Sequence, residues 1–180
     1  MLKIHVPEGE EFDERTNEFI YHPACTLVLE HSLISISKWE SKWKVPFVNG
    51  KEKTQEQFLD YIRCMTLTTQ VDPSVYKFIT PEQMNQITAY IEDSMTATRF
   101  KEDKKKNKKP QALTSETIYY MMFAQQIPIE CEKWHLNRLM TLIRVCSEKS
   151  APQKKMSKSE IYAQNKMLNA QRRAKYNTKG

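Results

Sequence analysis

Nine basic residues and a single acid occupy the last 32 positions of this 180-residue chain. Lys149, Lys154, Lys155, Lys158, Lys166, Arg172, Arg173, Lys175 and Lys179 stand against Glu160, a net +8 in a chain whose total is +6, so residues 1–148 carry −2. A stretch this cationic and this poor in large apolar side chains cannot bury a core of its own. The fold therefore has to come from residues 1–150, read as one globular domain, with 151–180 as a basic arm. A faintly acidic body with a cationic arm points to an anionic or protein partner and away from small-molecule catalysis.

Glycine excludes further classes. The three glycines are Gly9, Gly50 and Gly180, so no glycine-rich phosphate loop of either common type can form. Cys25, Cys64, Cys131 and Cys146 are scattered without a CxxC pair, and the N-terminal MLKIHVPEGEEFDE turns acidic before any signal-like apolar stretch. Reduced, cytosolic thiols are the expectation. No run approaches the ~18 apolar residues that a membrane helix needs.

Leu2, Ile4 and Val6 alternate with polar neighbours, Glu18 to Tyr21 is a short aromatic run, and Thr26 to Leu29 is rich in strand formers. Residues 1–34 thus predict a small antiparallel sheet, with the acidic segment Pro7 to Asn17 as a turn between the first two runs. From Ser35 the period lengthens: Ile36, Trp39, Trp43 and Phe47 fall near helical spacing until Pro46 intervenes. Thr54 with Gln57, and Thr80 with Gln83 followed by Pro81, are capping boxes that start two more helices. The segment 101–111, with six lysines and two acids, reads as a solvated loop. Helical pattern resumes near Thr114. A helix from Pro128 then carries an apolar stripe of Cys131, Trp134, Leu139, Leu142, Ile143 and Cys146, which makes Trp134 the tryptophan expected to tolerate change least. In the arm, Ser157 with Glu160 forms a capping box, and Met156 with Ile161 has hydrophobic-staple spacing. The predicted fold is α+β and mainly α: an N-terminal antiparallel sheet, a helical core over 35–150 and a basic C-terminal helical arm.

Each chemical reading competes with a packing one. Cys131 and His135 stand four apart on the predicted helix, as two zinc ligands can, but two further ligands would have to come from elsewhere. A core cysteine beside a half-buried histidine is favoured. Glu10 with Glu11 and Glu92 with Asp93 are carboxylate pairs in polar surroundings, whereas acid/base work needs burial to move a pKa. Trp39 and Trp43, interleaved with Lys38, Lys42 and Lys44, could stack on single-stranded nucleic acid, yet their spacing suits a core with lysine stems along its rim. No catalytic residue, cofactor or metal is predicted. The candidate partner-binding residues are Ile161, Leu168, Arg172, Arg173 and Lys175 on the arm.

Five segments carry a resemblance: EHSLISISKWESKW at 30–43, LDYIRCMT at 59–66, AYIEDSMTAT at 89–98, ECEKWHLNRLMTLIRVC at 130–146, and the closing KKMSKSEI with NAQRRAKYNTKG. Together they span nearly the whole chain and resemble the tail assembly chaperones of tailed bacteriophages; the lysine-rich stretch 101–109 is not part of the likeness. The resemblance implies a non-enzymatic protein of the host cytoplasm that binds the tape measure protein and helps to recruit tail tube protein. The nine methionines would suit adaptable apolar contacts. Two other readings stand beside it: a structural virion protein of the tail or neck, such as a connector or adaptor that locks onto neighbouring subunits, and a nucleic-acid-binding module. Nucleic acid is the less favoured partner because beyond Ile161 the arm offers only Tyr162 and Tyr176 for stacking, and the sequence leaves self-association open.

Overall fold

Residues 1–29 form four strands in the computed structural model, which describes residues 1–100, 112–150 and 158–177. They are β1 (Leu2–Val6), β2 (Gly9–Asp13), β3 (Glu18–His22) and β4 (Cys25–Leu29). β1 pairs antiparallel with β4 in the register Leu2↔Leu29, Ile4↔Leu27 and Val6↔Cys25, and β2 pairs separately with β3. Period-two alternation turns Ile4, Val6, Leu27 and Leu29 inward, where all four are buried. β2 lies inside the stretch predicted as a turn. Its strand character comes from a cross-strand pair, Phe12 opposite Phe19 with ring centroids 5.0 Å apart. The buried ring of His22 anchors this hairpin, lying 3.7 Å from the Phe78 ring, centroid to centroid. Gly9 is required opposite it, since a Cβ there would stand 2.6 Å from His22 Nε2.

Six α-helices follow: α1 (Leu33–Trp43), α2 (Gln55–Met65), α3 (Pro81–Glu92), α4 (Ser115–Ala124), α5 (Leu136–Ser150) and α6 (Lys158–Tyr176), with short 3-10 turns at Pro73–Phe78 and Ile129–Lys133. The architecture is α+β and mainly α, as the sequence predicts. Thr54 with Gln57 and Thr80 with Gln83 form reciprocal capping boxes at the starts of α2 and α3. Lys44, with φ 55°, ends α1 before Pro46 is reached, so Phe47 folds back as a loop residue. Residues 101–111, Met156 and Ser157 lie outside the described residues, and the loop, capping box and staple read from them go with them. By contact, the chain divides into a compact unit Met1–Ser147 and a second unit Glu148–Gly180.

Two carboxylates hold the helices of the body in place. Glu40 on α1 is buried, its Oε1 accepting from the Phe47 amide and its Oε2 from the Ser115 amide, both at 2.7 Å. A carboxylate at the first residue of α4 also meets the positive end of that helix. Asp60 on α2 accepts from Trp43 Nε1 at 2.8 Å and from Lys42 Nζ. Burial pushes its carboxyl up, but hydrogen bonds from Lys42 and Trp43 outweigh that and hold the pKa below the ordinary value. Trp39 Nε1 donates to the Gln57 carbonyl, completing the α1–α2 seam.

The helix predicted from Pro128 is interrupted. A 3-10 turn ends at Lys133, Trp134 is extended (φ −72°, ψ 160°), and α5 starts only at Leu136. A tertiary contact overrides the helical pattern: Ser32 and His135 form an isolated antiparallel bridge, and the Leu136 amide donates to the His31 carbonyl. Trp134 is consequently half-buried under the Arg138 guanidinium, 4.2 Å from its ring, and Leu142 is also only half-buried. Trp39, Leu139 and Ile143 are the buried members of the predicted set. The fully buried tryptophan is therefore Trp39, in place of Trp134. Leu139→Ala should cost about 2–5 kcal/mol in chemical denaturation, with Leu142→Ala costing clearly less and Trp39→Ala more than Trp134→Ala. Equal losses at 139 and 142 would contradict this packing.

Candidate functional site

The bridge between Ser32 and His135 brings polar side chains into the middle of the body. His31 and His135 place their ring centroids 4.9 Å apart, edge to face. Tyr61 Oη is hydrogen-bonded to His31 Nδ1 and lies 3.3 Å from Ser35 Oγ. His135 Nε2 donates to the Tyr90 carbonyl at 2.9 Å, and its Nδ1 accepts the Asn137 amide, capping α5. Tyr90 Oη donates to Glu30 at 2.8 Å. Burial, followed by the neighbouring His135, pulls the His31 pKa down to about 3, so its ring is neutral and Nδ1 accepts from the phenol. Burial likewise pushes Tyr61 and Tyr90 up, keeping both phenols protonated.

This cluster resembles catalytic machinery in composition and differs from it in access. His31 is 2% exposed, His135 4% and Tyr61 0%, and each named group is already engaged inside the fold. Such a network specifies one packing arrangement. Cys131 and His135 do not share a helix face, because Cys131 belongs to the 3-10 turn and His135 caps α5. Among the described residues no three metal-ligating side chains gather. Glu10, Glu92 and Asp93 are exposed, while the carboxylates that burial does reach, Glu40 and Asp60, are held by backbone amides, an indole and a lysine. Trp39 is sealed in the core, and Trp43 is half-buried with its Nε1 tied to Asp60.

Ile34, Lys38, Cys64, Met65, Leu67 and Lys133 line a cleft of about 400 Å³ on the body. Its thiol is no ready nucleophile, since burial, followed by the charge of Asp60, raises the Cys64 pKa.

The candidate surface that remains is helical. Every side chain described on α6 is exposed over its 19 residues. At about 100° per residue, Ile161, Leu168, Arg172 and Lys175 share one face, and Ile161 (45%) and Leu168 (39%) are the least exposed of its large apolar residues. Arg173 does not share that face: it lies about a third of a turn round, where Tyr162, Lys166, Asn169 and Arg173 line a shallow groove. The arm thus presents an apolar pair continued by two cations, with a polar, cationic flank. On the body, Phe12, Phe19, Tyr21, Tyr120 and Phe123 also stand more than two-fifths exposed. In the sequence Phe12 falls in the predicted turn and Phe19 and Tyr21 in the predicted sheet, and no pattern there signals their exposure.

Comparisons with protein-family models, with curated proteins and with solved structures give no match to this chain.

The buried histidine has a measurable consequence. His31 is neutral in the folded protein down to about pH 3, whereas an unfolded histidine takes up a proton near pH 6.5. Its contribution is full above that pH and is lost on acidification through the window from 6.5 towards 3, at a slope of at most about 1.4 kcal/mol per pH unit. Between pH 6.5 and 4.5, before Asp60 begins to titrate, the urea midpoint of the wild type should fall steadily, and that of His31→Gln should fall less. Equal slopes would remove His31 as the source.

Proposed function

We propose that this protein is a tail assembly chaperone of a tailed bacteriophage, which binds the tape measure protein through its basic helical arm and helps tail tube protein gather around it in the host cytoplasm. The observation that carries the reading is α6, a helix of 19 residues exposed on every described side. A helix of that length with no buried side chain among those described is marginal in water, and the pair Ile161 and Leu168, continued by Arg172 and Lys175, gives a partner helix an apolar stripe and two charges to meet. Docking would supply the burial the arm lacks, as in other helix-in-groove associations. Tyr120 and Phe123 on α4, 72% and 61% exposed, add apolar surface of the kind that interaction sites use. Among the described residues no helix is long and apolar enough to cross a membrane.

The reading makes the arm separable. Deleting residues 151–180 should leave the body folded by circular dichroism while abolishing or strongly weakening co-purification with the tape measure protein. Ile161→Ala with Leu168→Ala should have much of the same effect, with only moderate dependence on salt. A nucleic-acid partner would give the opposite pattern: neutralising Arg172, Arg173 and Lys175 would flatten the plot of log affinity against log salt by about 0.7–0.9 for each phosphate that a side chain no longer neutralises. Mass spectrometry of purified virions separates the chaperone from a tail or neck component. A chaperone is absent from them, and a connector or adaptor is present in fixed stoichiometry.

A further inference from the structure

The β2–β3 hairpin is held to the body by His22, and its other face is a second exposed surface. In its register Glu10 faces Tyr21 and Phe12 faces Phe19, so period-two alternation gathers these four residues on one face. That face is turned to solvent: Phe12, Phe19 and Tyr21 are 46%, 71% and 57% exposed, and Glu10 is exposed too. The ribbon is strongly acidic as well. Residues 8–18 hold Glu8, Glu10, Glu11, Asp13, Glu14 and Glu18 against Arg15, a net −5, and Tyr21 Oη donates to Glu8 at 2.9 Å.

Three exposed rings framed by carboxylates repel phosphate and attract a cation with an apolar body. Arginine meets both demands, since its guanidinium stacks on aromatic faces and pairs with carboxylates. The chain itself carries a segment of that chemistry, α6, with Ile161 and Leu168 on the face of Arg172 and Lys175, inside a region of net +8. Both surfaces are exposed in the single chain, and the occupant that matches the hairpin in charge and in apolar content is the arm of a second copy.

We propose that the protein self-associates head to tail, the basic α6 arm of one copy docking on the acidic aromatic face of the β2–β3 hairpin of the next. The two patches differ, so the contact is heterologous and repeats from copy to copy, building a ring or an open chain. Steering between a −5 ribbon and a +7 arm makes the association sensitive to salt. Self-association uses the same arm face as the proposed tape measure contact, but it is read without any other protein present, so either can fail alone.

Sedimentation velocity of the full purified chain over a range of concentrations tests it. The wild type should grow beyond monomer as concentration rises and return towards monomer at high salt. Glu10→Lys with Glu14→Lys, or Arg172→Glu with Lys175→Glu, should each move the midpoint of association at least about tenfold higher in concentration, and a chain carrying all four reversals should recover it. Phe19→Ser, which changes no charge on an exposed residue, should weaken association in the same direction. A wild type that stays monomeric throughout overturns the proposal, as does association that ignores the hairpin substitutions or a fourfold variant that recovers nothing.

Discussion

Two helices of the body start from one pair of residues. Ser32 caps α1 and His135 caps α5, and the two face each other across a single antiparallel bridge, reinforced by the amide of Leu136 on the carbonyl of His31. The first and last helices of the body are thereby fixed in position although about a hundred residues separate them. The remaining contacts build outward from this seam. His31 accepts a hydrogen bond from Tyr61 on α2, His135 donates one to the backbone of α3 at Tyr90, and Asn137 donates to the carbonyls of Ile91 and Asp93 where α3 ends. Removing the Tyr61 hydroxyl would leave the buried His31 Nδ1 without its partner, a larger loss than the hydrogen bond itself contributes.

Glu40 performs the same service farther out. Its two oxygens take one amide from the loop after α1 and one from the first residue of α4, joining parts of the chain that flank residues 101–111. The bridge between Val48 and Leu113 lies beside it. The position of α4 is thus set by contacts from residues on the far side of that lysine-rich stretch in sequence, Glu40 and Val48.

What the sequence made legible was local. The starts of α2 and α3 were readable because a threonine and a glutamine three residues apart satisfy each other's backbone amides whatever surrounds them. Ile4 and Val6 were readable because alternation records burial directly. The interruption before Leu136 was not, since a stripe running through Cys131, Trp134 and Leu139 fits a continuous helix until His135 is known to pair with Ser32. β2 was hidden because acids occupy both of its faces, leaving no alternation of apolar and polar residues to detect. Glu40, Asp60 and His31 were invisible as a buried group for a related reason: a polar residue is read as surface unless its distant partner is known. On the arm, helical spacing alone groups Ile161, Leu168, Arg172 and Lys175, and it separates Arg173 from them.

Val6 and Cys25 are register partners, so the chain leaves the core at β1 and re-enters it at β4 from adjacent points. Everything between them, including the aromatic ribbon, is an excursion whose ends are already held together by strand pairing. Extending such a loop adds little entropic cost, growing only with the logarithm of its length. The hairpin is in this sense a cassette: apart from His22 and Gly9, which seat it on Phe78, its length and surface can change while β1, β4 and the helices behind them keep the same packing.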